Sequence, residues 1–139
     1  MGKLFGWLDV ISFGAYLAFF VFALIAGVRT TLWFVALALS IACLVLWVMA
    51  RWQLGTAFSA GAEARHLVTG GLYSKVRHPI YVFGTMSFML IVLALQGPPA
   101  LIVWAVVGAI QVARARREDR VLEAAFGSEY AAYRDSTWF

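Results

Sequence analysis

Two long uncharged apolar runs, residues 10–28 and 32–50, constrain this chain more than any other feature. Each is close to the ~20 residues that span a ~30 Å hydrocarbon layer at ~1.5 Å rise per residue, so both read as transmembrane helices. Arg29, Thr30 and Thr31 between them leave room only for a tight turn, which makes the pair a helical hairpin. Trp33, Trp47 and Trp52 stand near the ends of the second run like interfacial anchors. A third apolar run, residues 80–95, and a fourth, residues 100–113, flank Gln96, Gly97, Pro98 and Pro99, which cannot continue a helix. These two are short for full spans and rely on tilted neighbours, local thinning, or Arg114, Arg116 and Arg117 reaching toward the headgroups.

Of the 139 residues, 63% are hydrophobic and 13% charged, where a soluble domain has about a quarter charged. A core of this size cannot hide that much apolar surface, so the excess faces lipid. The expected fold is therefore all-α, a polytopic membrane protein forming a single domain over residues 1–139. It has four transmembrane helices, cytoplasmic termini and a C-terminal amphipathic helical segment. The single cysteine, Cys43, excludes a disulfide framework and a cysteine-based zinc site. No GxGxxG follows a strand-like segment, which excludes a soluble dinucleotide fold. The formal charge of +4 does not point to nucleic acid, because the basic residues cluster beside the apolar runs.

With four spans, ten of the eleven Lys and Arg residues fall on one side and only Arg29 on the other. The positive-inside rule puts the crowded side, with both termini and the long loop, in the cytoplasm; in a bacterium the membrane is the inner one. The first run is too long for a cleaved signal peptide and no AxA-like site follows it, so the mature chain is expected to keep it. Gly14 and Ala18, Ala23 and Gly27, and Ala36 and Ser40 have the small-xxx-small spacing of close helix packing. Every Asp and Glu lies outside the four runs, which argues against an ion or drug antiporter.

Chemistry is thus expected on the cytoplasmic side, in two segments. One is the loop 51–78, far longer than a typical helix connection of about 2–8 residues. It holds Thr69, Gly70, Gly71, Leu72 and Tyr73, then Ser74, Lys75, Val76, Arg77 and His78 before Pro79 at the first position of the third helix. Free N–H groups at that helix N-terminus, with Arg77 and His78, suit a carboxylate or phosphate. Arg77 and His78 also fit an ordinary membrane boundary, with Tyr73 and Tyr81 as belt aromatics. His66 is a lone loop histidine with no matching ligands, so no metal is expected.

The other segment runs through Arg114, Arg116, Arg117, Glu118, Asp119, Arg120 and Glu123 to Phe126. Gly127 offers a helix stop and Ser128 a new N-cap. Val121, Leu122, Ala125 and Phe126 repeat at helical spacing. Glu118 after Arg114, and Glu123 after Arg120, suit local ion pairs worth tenths of a kcal/mol each. Alternatively, Glu118 and Asp119 form an acidic pair beneath the bilayer that recognises a cationic ligand.

The stretch Leu67, Val68, Thr69, Gly70, Gly71, Leu72, Tyr73, Ser74, Lys75, Val76, Arg77, His78, Pro79, Ile80, Tyr81, followed by Gly84, resembles the signature of isoprenylcysteine carboxyl methyltransferases and related phospholipid methyltransferases. Glu118 and Asp119, then Phe126 through Glu129 to Arg134, resemble that family's second signature, in the expected order and across the expected hairpin. The resemblance covers about half the chain; the first two runs match in hydropathy alone. It implies an integral membrane enzyme that moves a methyl group from S-adenosylmethionine to a lipophilic acceptor, among membrane lipids and without nucleic acid. Carried over position by position, Leu72, Tyr73, Val76, Arg77, His78, Pro79 and Tyr81 enclose part of the cofactor, and Glu118 and Asp119 complete the enclosure. The segment from Glu129 to Arg134 then contributes reactive-site polar groups, Glu129 and Arg134 foremost, with Arg134 orienting the acceptor.

Three positions depart from the family pattern: Asp119 replaces a usual Glu, Leu72 a frequent Pro, and Ser128 a frequent acidic residue. Some relatives also have more helices, so the acceptor pocket is expected to be more open here or completed by a second subunit in a homo-oligomer. A nicotinamide-dependent membrane reductase on a similar scaffold, and a four-helix scaffold or small transporter binding anionic lipid, are the competing readings.

Overall fold

In the computed structural model, residues 7–26, 29–55, 66–97 and 100–138 are described, with side chains from residue 14 onward. All regular structure among them is helical. Helix α1 covers Trp7–Ala26, α2 Thr31–Leu54, α3 Pro79–Gln96, α4 Ala100–Phe126 and α5 Ser128–Ser136, with a short 3-10 turn at Gly71–Ser74. By length and composition, α2 and α3 can each cross a membrane, and α1 carries a shorter apolar stretch, Gly14–Ala26. Leu39, Ile41, Val45, Leu101, Ile102 and Val106 stand exposed on α2 and α4. Such a surface needs a lipid solvent, and the chain is membrane-associated.

Thr30 starts α2 by accepting the Trp33 N–H on its hydroxyl at 3.1 Å, satisfying one of the donors a helix start leaves open. Trp33 is not the lipid-facing anchor expected from its position. It is 6% exposed and its indole donates to the Ala23 carbonyl at 3.3 Å, tying α1 to α2. Trp52 does stand out, 72% exposed near the end of α2. That helix continues past Ala50 to Leu54, so the 51–78 segment is not loop from its start.

The most extensive contact is between α2 and α3. Ala36 and Ser40 are buried there, as their small-residue spacing predicts. Ser40 Oγ donates to the Ser87 carbonyl at 3.0 Å and Ser87 Oγ to the Ser40 carbonyl at 2.7 Å. The Tyr16 hydroxyl joins from α1, 3.0 Å from Ser40 Oγ, so three helices share one polar junction with every hydroxyl engaged. Lower on α2, Trp47 packs on Gly84, where an added Cβ would lie 2.9 Å from the indole Cδ1. Gly14 and Ala18 lie exposed instead of packed, whereas Ala23 is buried; Gly27 is outside the described residues.

Gly97, at φ +67, ends α3 with its N–H on the Leu93 carbonyl; Pro98 and Pro99 are outside the described residues. Antiparallel to α3, α4 shows paired contacts that descend one helix as they ascend the other. Gln111 donates to Thr85 at 3.0 Å, Arg114 lies 5.5 Å from the Tyr81 ring centre, and Asp119 meets His78. Thus α4 runs unbroken from its apolar half to its charged half over 27 residues, about 40 Å. Gly127, at φ +53, turns the chain into α5. Ser128 is the first residue of α5, with Gly127 in the cap position expected for Ser128.

Candidate active site

The site forms where the 3-10 turn, the start of α3 and the charged half of α4 meet. Pro79 is fully buried at the first position of α3, where its missing N–H costs nothing. His78, the residue before it, holds the N-cap position at φ −122 and ψ 57, and its side chain makes no capping bond. Its ring turns instead to α4: Nε2 donates to Asp119 Oδ1 at 2.7 Å, and Nδ1 lies 3.7 Å from Glu118 Oε2. The side chains of His78 and Glu118 are 11% and 17% exposed, which makes this a sheltered junction. The Tyr130 hydroxyl of α5 donates to the same Asp119 oxygen. Arg77 Nη1 is 3.9 Å from Asp119 Oδ2. The Tyr81 hydroxyl is close enough to Glu118 to act on its titration, and the Tyr81 ring lies 5.8 Å from that of His78.

The two adjacent carboxylates titrate in opposite directions. Burial pushes the Glu118 carboxyl above its ordinary value, with Asp119 adding to it, against the opposing pull of His78, the Tyr81 hydroxyl and Arg114. Burial works on Asp119 too, but bonds from Tyr130 and His78 and the charges of His78 and Arg77 outweigh it and hold its carboxyl low. Burial also raises the phenols of Tyr73, Tyr130 and Tyr133, the last to about 12, so each is a neutral donor at physiological pH. The result is one firmly anionic carboxylate fixed by neighbours and one sheltered carboxylate beside aromatic rings. That second arrangement suits a cationic ligand.

Tyr73, Arg77, His78, Tyr81, Glu118 and Asp119, proposed from sequence, thus converge on one region. Leu72 and Val76, in the same segment as Tyr73 and Arg77, are half-buried, and Pro79 is buried. Arg134 and Glu129 do not join this junction. Arg134 pairs with Glu123, Nη1 to Oε1 at 3.4 Å, and Glu129 stands exposed on the first turn of α5. Glu123 is therefore engaged from α5, where the sequence suggested its neighbour Arg120. Gln53, whose Oε1 accepts the Leu72 N–H at 2.8 Å, was given no role from sequence; Tyr130, and Tyr133, which donates to the Tyr73 carbonyl at 2.7 Å, lie in the 129–134 segment of the second motif but had no individual role. The i, i+3 spacing of the two tyrosines on a short helix was the available signal; nothing local marks Gln53.

Two buried polar atoms of the site, Tyr73 Oη and Arg77 Nε, make no hydrogen bond among the described residues. An unmet buried donor costs about 1–3 kcal/mol, a penalty that a polar ligand removes.

The family model for phospholipid methyltransferase matches residues 31–129, from the start of α2 through both carboxylates of α4. Neither a curated protein nor a solved structure gives a significant match. The match covers well over half of the chain and contains the histidine and carboxylates of the junction, so the chain belongs to the phospholipid methyltransferase family, whose members are membrane methyltransferases.

Proposed function

We propose that the chain transfers a methyl group from S-adenosylmethionine to a lipophilic acceptor at the cytoplasmic membrane face. In this reading α1 to α4 all cross the bilayer and both termini are cytoplasmic. The observation that carries it is the His78 junction, in which two sequence blocks 41 residues apart meet at one sheltered pair of carboxylates. The residues present fit the donor's functional groups. Glu118 suits its amine, and the Tyr81 and Tyr73 rings suit a sulfonium. Arg77, with Nε unmet, suits a carboxylate. Leu72 and Val76 offer an aliphatic margin for an adenine. Pro79 and Asp119 are supports, Pro79 by fixing the start of α3 and Asp119 by holding His78 and Tyr130 in place.

When bound, S-adenosylmethionine supplies a methyl group activated by positive charge on sulfur. The chain's task is then to align the acceptor with that methyl and to exclude water, since the reaction is an in-line displacement in which the positive charge leaves sulfur as the carbon–sulfur bond breaks. A general base is required only for an acceptor that arrives protonated, such as an amine. Arg134 and Glu129, on α5 outside the His78 junction, are the groups this reading leaves for the acceptor.

S-adenosylhomocysteine at ~100 times its dissociation constant should stabilise the detergent-solubilised protein by about 2.7 kcal/mol, while nicotinamide cofactors should not. Stabilisation by a nicotinamide cofactor alone would overturn the reading. In the same assay His78→Ala should lose the stabilisation, whereas Arg134→Ala should keep it and lose turnover. Labelled methyl donor with a total lipid extract identifies the acceptor.

A further inference from the structure

Neighbouring peptide groups of the 3-10 turn are gripped from two helices remote in sequence. Gln53, near the end of α2, accepts the Leu72 N–H at 2.8 Å. Tyr133, buried in α5, donates to the Tyr73 carbonyl at 2.7 Å. A third bond, from the Trp138 N–H to the Lys75 carbonyl at 2.9 Å, holds the end of the turn. Gln53 also fills the space beside Gly71: a Cβ there would lie 2.5 Å from its Oε1, and the backbone is at φ +61, so only glycine fits against this side chain. Between these grips sits Tyr73, 6% exposed, with its hydroxyl unmet among the described residues and in the electrostatic field of Glu118 and Arg51.

A 3-10 turn of four residues has little stability of its own. Its own bonds, such as Ser74 Oγ to the Gly71 carbonyl at 2.8 Å, shape the turn but do not attach it to the helices. Among the described residues, bonds from Gln53, Tyr133 and Trp138 supply that attachment. Tyr133 stands in the second motif but beyond residue 129, where the family match ends, and Gln53 lies outside both motifs.

We propose that Gln53 and Tyr133 are positioning residues, which grip the Leu72 amide from α2 and the Tyr73 carbonyl from α5 and so set the Tyr73 hydroxyl against the donor pocket. The role in donor binding rests on the function proposed above; the grip itself does not.

The test compares Gln53→Leu, which keeps bulk and removes the acceptor, with Gln53→Glu, which restores an acceptor oxygen, and with Tyr133→Phe. Calorimetry with S-adenosylhomocysteine should show about fivefold weaker binding for Gln53→Leu and Tyr133→Phe, the loss of one hydrogen bond. Gln53→Glu should stay within about twofold of wild type, a recovery that general loss of packing does not produce. Amide exchange across residues 71–75 should quicken in Gln53→Leu and return toward wild type in Gln53→Glu. Wild-type affinity in Gln53→Leu, or equal losses in the Leu and Glu variants, overturns the positioning role. Wild-type protein that takes up no S-adenosylhomocysteine overturns the donor reading. Exchange then judges the grip by itself, and unchanged protection in Gln53→Leu refutes it.

Discussion

Glu118 and Asp119 are chain neighbours with opposite electrostatic fates, and the difference yields a pH prediction. Because burial raises the Glu118 carboxyl, the folded protein favours its protonated form. The stability this contributes is fully present below about pH 4.5, the group's ordinary value, and is lost as pH rises through the raised one. Glu118→Gln should therefore melt higher than wild type near pH 7.5 in the absence of ligand, with the gap closing toward pH 4. It should at the same time bind S-adenosylhomocysteine more weakly. A variant equally stable at both pH values, measured by thermal melts in detergent, contradicts the assignment. Asp119 has the reverse sign, its contribution being present above the ordinary carboxylate range and lost as pH falls through the lowered value. A site that keeps a carboxylate sheltered for a ligand gives up stability to do so.

Among the elements, the α2–α3 contact is where the fold is most sensitive. Gly84→Ala would drive a methyl group to 2.9 Å from the Trp47 ring, which cannot swing aside like a flexible chain end. Such overpacking costs about 1–3 kcal/mol. The expected outcome is a lower melting temperature, checked against Gly108→Ala, where no neighbour lies within 4 Å of an added Cβ. Equal melting temperatures would contradict the packing described. The helices themselves were legible in the sequence because apolar runs and breakers act locally: Gly97 ends α3 and Pro79 begins it, as their chemistry predicts. The convergence of His78 with Glu118 and Asp119 was legible through the two motifs. What could not be read were facts set by helix rotation. Trp33 looked like an anchor by position but faces Ala23, Gly14 and Ala18 face outward, and Gln53 meets Leu72 only because α2 continues past Ala50.

At the scale of the whole molecule, the proposed topology places Arg29 and the α4 arginines on opposite sides of the membrane. A membrane-impermeant thiol reagent should modify Arg29→Cys in intact cells. It should reach Arg116→Cys, which is exposed in the structure, only after permeabilisation. Labelling of both from outside would refute four spans with cytoplasmic ends. Gly108 is the last glycine of α4, and from Ala109 to Phe126 the helix contains neither glycine nor proline, the usual causes of a hinge. The apolar turns just past Gly108 and the acids beneath belong to one stiff shaft, so a tilt given to one end of that shaft is handed to the other. The chemical groups are in this way geared to the posture of the rod that carries them.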